Sequence, residues 1–207
     1  MLNMSFDQKV VIDSAVVEWQ QSPRAGVWRK PLAREEAERG HATSIVRYEA
    51  GASFSVHDHP LGEEILVLEG VFSDETGDYK AGTYFRNPEG FRHAPFSNEG
   101  CIILVKLHQF LTEDTSRISI DTQYFDSQIA ELILHKFKTE TVSIVHLSKG
   151  NKLRVPIGLR SQEIFIMSGQ LADDEQTYVA GTWMRLPDIG DFSALVETKI
   201  WMKTGHF

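Results

Sequence analysis

The chain has 207 residues, 42% of them apolar and 24% charged, with a formal net charge of −8. These values fit one large or two small globular domains, and the acidic balance speaks against a nucleic-acid partner, which needs clustered Lys and Arg. No apolar run reaches the roughly 20 residues of a membrane helix. The opening Met1-Leu-Asn-Met-Ser-Phe-Asp7 lacks the basic and apolar regions of a secretion signal, and the single cysteine, Cys101, excludes an internal disulfide. A reducing, cytoplasmic compartment is therefore expected.

In chain order, Leu32-Ala-Arg-Glu-Glu-Ala-Glu-Arg-Gly40 predicts a charged turn or short helix ending at glycine. Next comes Gly51-Ala-Ser-Phe-Ser-Val-His57-Asp-His59-Pro-Leu-Gly-Glu63-Glu64. Side chains repeat every second residue along a strand, so His57 and His59 project from one face. Glu63 follows four positions on, past a Pro-Leu-Gly bend. Ile65-Leu-Val-Leu68, ending at Gly70, reads as a strand. Gly82-Thr-Tyr-Phe-Arg-Asn-Pro88-Glu-Gly90-Phe-Arg-His93 brings a third histidine. Cys101-Ile-Ile-Leu-Val-Lys-Leu107 reads as another strand. The polar stretch Thr112-Glu-Asp-Thr-Ser-Arg117 marks a boundary, giving domains at 1–112 and 126–207 with a linker at 113–125. Ser127-Gln-Ile-Ala-Glu-Leu132 predicts a short helix or a crossover. Ile164-Phe-Ile-Met167 is a strand ending at Gly169. Short apolar runs between glycine turns suit antiparallel β-sandwiches or barrels.

The chain also repeats itself. At an offset of 99 residues, 15 of the 45 positions from 44 to 88 are identical without a gap. Ser44-Ile45-Val46 meets Ser143-Ile144-Val145, Glu64-Ile65 meets Glu163-Ile164, and Gly70 meets Gly169. Ala81-Gly82-Thr83 meets Ala180-Gly181-Thr182, and Arg86 meets Arg185. Two homologous halves follow. The ligand-type residues do not repeat: His57 falls on Pro156, His59 on Gly158, and the His93 region on Asp191-Phe192-Ser193 with one residue inserted. The second half is expected to be metal-free.

These residues resemble the cupin family. Its first motif, G-x5-H-x-H-x3,4-E-x6-G, is matched by Gly51, His57, His59, Glu63 and Gly70. Its second, G-x5-P-x-G-x2-H-x3-N, is matched by Gly82, Pro88, Gly90 and His93, with Ser97 at the last position. The wording from Gly62-Glu-Glu-Ile-Leu-Val-Leu-Glu-Gly70 to His93-Ala-Pro-Phe-Ser97 is similar to the cupin domain of ChrR-type anti-sigma factors, over roughly 15–110 and more weakly in the second half. The resemblance implies an all-β fold of two tandem cupin (double-stranded β-helix, or jelly-roll) barrels, with one divalent metal ion in the first. It points to zinc; iron, manganese or nickel also suit three imidazoles and a carboxylate. Such anti-sigma factors carry a helical zinc domain with a His-x3-Cys-x2-Cys signature, which this sequence lacks.

The expected metal ligands are His57, His59, Glu63 and His93. Glu63 is preferred to Glu64 because spacing to Gly70 selects it. Glu64 also recurs as Glu163 in the half without histidine ligands, which marks it as structural, and Arg86 is read the same way through Arg185. Phe54, Tyr84 and Phe96 are core aromatics or cavity lining; His41, His108, His135, His146 and His206 have no ligand spacing. Cys101 reads as inert core. No Gly-x-Gly-x-x-Gly, Walker loop or nucleophile elbow is present. Two functions compete, beside a third, bland reading in which the metal site only stabilises the fold. One is a regulatory or sensory metal cupin with a sigma factor or other regulatory protein as partner, and a small-molecule ligand in the first barrel. The other is an iron(II)-dependent dioxygenase acting on a small diketone, thiol or aromatic substrate. A homodimer is plausible from barrel packing.

Overall fold

Strand formation follows the apolar runs closely. The computed structural model describes residues 1–36, 40–123, 125, 129–154, 162–188 and 190–206. Within them the regular structure is β throughout, in two units. The first comprises Met1–Met4 and Glu18–Tyr124; the second comprises Ser5–Val17 and Phe125–Phe207.

In the first unit the main path of strands runs Ile118–Asp121, Thr83–Asn87, Glu63–Asp74, Cys101–Leu107, Ala42–Tyr48, Val27–Arg34, Gln20–Gln21, each antiparallel to the next. Glu63–Asp74 is the spine. Its first half pairs with Thr83–Asn87 and Cys101–Leu107. Its second half pairs with Gly77–Lys80 and, through Ser73, with Phe96. Between the halves stands Gly70 at φ +69°, where an added Cβ would collide with the Gly100 carbonyl oxygen. Only glycine takes this turn without a clash. The inward residues, among them Val27, Val46, Ile65, Val67, Phe72, Phe85 and Ile103, form one buried cluster.

The second unit repeats the plan in the order Val10–Asp13, Thr182–Leu186, Gln162–Ser168, Thr198–Thr204, Glu140–Leu147, Glu131–Phe137. Gly169 takes the place of Gly70, with φ +84° and an added Cβ meeting the Glu197 carbonyl oxygen. Its core gathers Val145, Ile164, Ile166, Leu171, Met184 and Ile200.

Three sequence expectations are corrected. Leu32–Arg34 end a strand, and Glu131 and Leu132 begin one, so the helical alternative fails at these residues, while Glu35 and Glu36 bend as the turn alternative expects; 37–39 and 126–128 lie outside the described residues. The segment 113–125 contains the strand Ile118–Asp121, which pairs with Thr83–Arg86 in the first unit. Its alternation of Ile118 and Ile120 with polar residues is a strand pattern. Ser5–Val17 joins the second unit because Val10–Asp13 pairs with Thr182–Arg185.

Candidate metal centre

The three histidines meet because of one short ladder. His57–Asp58 pairs antiparallel with Arg92–His93, setting His57 directly across from His93. Ring centroids stand 4.7 Å apart for His57 and His59, 5.2 Å for His57 and His93, and 5.7 Å for His59 and His93. One ring nitrogen from each lies within 4.8 Å of the other two.

Hydrogen bonds fix which nitrogen faces inward. His57 Nδ1 meets the Ser55 carbonyl at 2.8 Å, and His93 Nδ1 meets Asp74 Oδ2 at 3.2 Å. Each acceptor can only receive, so Nδ1 carries the proton and Nε2 is left as the inward atom. His59 Nε2 and His93 Nε2 are buried and have no hydrogen-bond partner among the described residues. Each stands 3.4 Å from a different oxygen of Glu63. Leaving buried polar atoms unsatisfied costs about 1–3 kcal/mol apiece. A single cation shared by the imidazoles and the carboxylate removes that cost, and the donor set suits a divalent transition metal. Asp74 behind His93 is the outer carboxylate that commonly orients a metal-binding imidazole.

The electrostatics are uneven. Burial pushes His59 below the ordinary imidazole value; Glu63 opposes this, while His57, His93 and His108 reinforce it. Burial also acts against the charged form of His93, but the hydrogen bond to Asp74, with the charges of Glu63 and Asp74, raises it overall. Asp74 is lowered: its own burial is outweighed by the bonds from His93 and Thr76.

The two adjacent glutamates point to opposite faces, as neighbours on a strand must. Glu63 faces the histidines and accepts a hydrogen bond from Asn87 Nδ2 at 3.2 Å, its cross-strand neighbour. Glu64 accepts from the Tyr84 hydroxyl at 2.9 Å and from Arg86 Nη1 at 3.4 Å. Arg86 Nη2 continues to Asp114 at 2.6 Å, and the guanidinium lies 3.8 Å from the Phe110 ring centre. Glu163 repeats the arrangement, accepting from Trp183 Nε1 at 2.8 Å.

A cavity of about 70 Å³ adjoins the centre. His57, His59 and Glu63 line one part of it; Phe54, Val46, Ile103 and Leu107 give it apolar walls. Phe54 stands 5.6 Å from the His57 ring. Tyr84 is spent on Glu64 instead. Cys101 is buried, and burial pushes its thiol up to about 11 against the hydrogen bonds from Ser97 and the Tyr48 backbone, which leaves it inert.

Sequence spacing misses three neighbours of the centre. Asp74 and Asn87 reach it only through strand pairing. His108, at φ +60°, sits with its ring 6.3 Å from His59. His206 and His135 belong elsewhere, both beside Glu140 in the second unit. Of the second-half positions that replace the ligands, Pro156 and Gly158 lie outside the described residues; strand pairing corrects the alignment at His93, setting Gly190 in its place with the buried Phe192 ring against it.

The sequence pattern of the family described as ChrR Cupin-like domain matches residues 7–111 and again 120–207. No curated protein matches the chain. Among solved structures, a Nostoc punctiforme protein provisionally described as a dioxygenase superposes with a TM-score of 0.76 at 13% identity, covering 96% of this chain and 82% of its own. The Escherichia coli pirin YhhW, solved with nickel(II), gives 0.72 at 12% identity over 95% and 98%. A cupin 2 conserved barrel domain protein of Leptotrichia buccalis gives 0.61 at 11% over 98% of each chain. At these identities the likeness is one of fold.

Proposed function

The chain belongs to the ChrR cupin-like family, as a tandem pair of cupin barrels, and from that we propose that its first barrel binds one divalent metal ion through His57, His59, Glu63 and His93 as part of a regulatory or sensory protein. One observation carries the metal reading: the buried, unpartnered Nε2 atoms of His59 and His93 face the two oxygens of one carboxylate. The nickel-bound pirin of the same fold is consistent with it. Zinc is the ion proposed, with iron, manganese and nickel as the other candidates for this donor set. A bound ion would supply Lewis acidity to whatever enters the adjoining cavity. Protein purified from its native host should carry about one equivalent of metal, and His59→Ala should lose most of it. A fully folded His59→Ala protein with undiminished metal would refute the assignment.

The regulatory part rests on family membership. Its partner is a sigma factor or another regulatory protein, and metal removal or ligand entry changes the partner surface. Recovery of such a protein by co-purification, sensitive to chelator, supports this; recovery of none from the native host counts against it. A second reading, iron(II)-dependent dioxygenation of a small diketone, thiol or aromatic compound, is favoured by the cavity opening onto the histidines and by the description of the Nostoc protein. Oxygen uptake by the iron(II)-loaded protein over a panel of those compounds tests it, and a flat trace throughout removes it.

A further inference from the structure

The cavity beside the metal centre is lined by a second set of polar side chains. Arg29 and Arg34 line it together with His57, His59 and Glu63. Both arginines stand on the strand Val27–Arg34, five residues apart, where regular alternation would send them to opposite faces. A bulge between Pro31 and Ala33 shifts the register by one residue. Arg29 then lies across from Val46, and Arg34 across from Ala42. Following the pairings onward, Ala42 faces Leu107 and Leu107 faces Glu63, so Arg34 shares a cross-strand row with the proposed ligand. Val46 leads likewise to Ile103 and Val67 in the buried core. The bulge thus turns both guanidinium-bearing side chains to the inner side.

Two further observations concern what the cavity is built to hold. Ser44 also lines it, and its hydroxyl is buried without a hydrogen-bond partner although the residue is only 3% exposed. The repeat keeps that serine as Ser143, equally unpartnered, so the hydroxyl alone does not distinguish the halves. The arginines do. Val145, the repeat mate of Val46, pairs with Glu131, and Thr141, the mate of Ala42, pairs with Lys136. Both replacements are exposed, and the bulge between Ile133 and His135 is retained. The paired arginines therefore occur in the half that has the histidines and are missing from the half that lacks them. Within a chain of net charge −8, this cavity collects two guanidinium groups against one carboxylate. A metal ion would make it more positive still. Charge in a partly dry cleft acts more strongly than in water.

We propose that the first barrel takes a small carboxylate-bearing molecule, its anionic end held by Arg29 and Arg34 and its other end at the His57, His59 and Glu63 side. This rests on the metal-centre reading and narrows its ligand from any small molecule to a short acid. Both arginines have other interactions as well, so they act as a shared positive wall. A volume of about 70 Å³ is small and limits the ligand to a short chain. The apolar lining from Val46, Phe54, Ile103 and Leu107 suits a ligand with a short hydrocarbon part, such as an oxo acid. Arginine recognises carboxylate with two-pronged, charge-assisted bonds that a neutral ketone cannot form.

Acetoacetate and acetylacetone make a matched test, since they differ only in a carboxylate oxygen against a methyl group. Titration calorimetry on the zinc-loaded full chain should show acetoacetate binding about tenfold or more tightly than acetylacetone. Arg29→Gln with Arg34→Gln should abolish that preference while metal content and circular dichroism stay unchanged. The wild-type ratio decides the matter even if the variants fail to fold. Equal or tighter binding of acetylacetone, binding of neither compound, or a preference unchanged in folded variants overturns the proposal. Metal analysis separates it from the metal reading: an arginine-dependent preference for acetoacetate in a folded chain that takes up no zinc keeps the anion site and removes the metal centre.

Discussion

At the residue scale, two carboxylates one position apart have different tasks because a strand turns them to different faces. Glu63 meets unpartnered imidazole nitrogens, while Glu64 completes a buried network with Tyr84 and Arg86. Glu63→Gln should therefore lower metal occupancy far more than Glu64→Gln. Glu64→Gln should instead cost about 1–3 kcal/mol of stability, because Arg86 keeps its burial and loses a charged partner. Elemental analysis and urea unfolding on both variants check this, and the opposite ranking would mean the carboxylates are exchanged. Asp74 offers a second case. Asp74→Asn keeps the size of the side chain but removes the charge behind His93. Metal affinity, measured by competition with a coloured chelator, should fall about 10- to 100-fold; an unchanged affinity would leave Asp74 a purely structural role. That Glu63 rather than Glu64 faces the histidines was legible in the sequence through the repeat, since Glu64 recurs as Glu163 in the half without those histidines. Asp74 also recurs, as Asp173, so the same logic hid its place behind His93. Asn87 and His108 carry no spacing signal, because strand pairing and a left-handed turn bring them in.

At the element scale, the legible features are those written in local sequence. Ile65-Leu-Val-Leu, Cys101–Leu107 and Ile164-Phe-Ile-Met stand as strands because their apolar, β-branched runs end at glycine or polar turns. What local sequence could not give is parity and partnership. The bulge beside Pro31 decides that Arg34 turns inward, and the strands Val10–Asp13 and Ile118–Asp121 each complete a sheet far off in sequence. The paired corners at Gly70 and Gly169 show how far the repeat governs geometry. Both have positive φ, and at both an added Cβ meets a backbone carbonyl oxygen that no side-chain rotation can move aside. Gly70→Ala and Gly169→Ala should each cost about 1–3 kcal/mol, by chemical denaturation. A change at only one of them would mean the corners are not equivalent.

At the scale of the whole molecule, one frame is used twice and equipped once. The core positions recur, from Ile65 and Ile164 to Val46 and Val145, whereas the histidines, Glu63 and the arginine pair belong to the first unit. Strand pairing makes Gly190 the counterpart of His93 and Phe192 that of Pro95, and the Phe192 ring fills the space a side chain at Gly190 would take. Metal binding stabilises the state that binds it, by about 2.7 kcal/mol when free ion exceeds its dissociation constant a hundredfold. That gain should appear where the ligands are anchored. Hydrogen exchange on the full chain, compared with and without added zinc after chelation, should therefore slow at Ala42–Tyr48, Glu63–Asp74 and Cys101–Leu107. The repeat counterparts Glu140–Leu147, Gln162–Ser168 and Thr198–Thr204 should exchange at unchanged rates, because their sheet carries none of the proposed ligands, whereas the first-unit sheet carries Glu63. Equal slowing in both sets would mean that the second barrel also answers to the ion, and a response only in the second would place the metal in the wrong half.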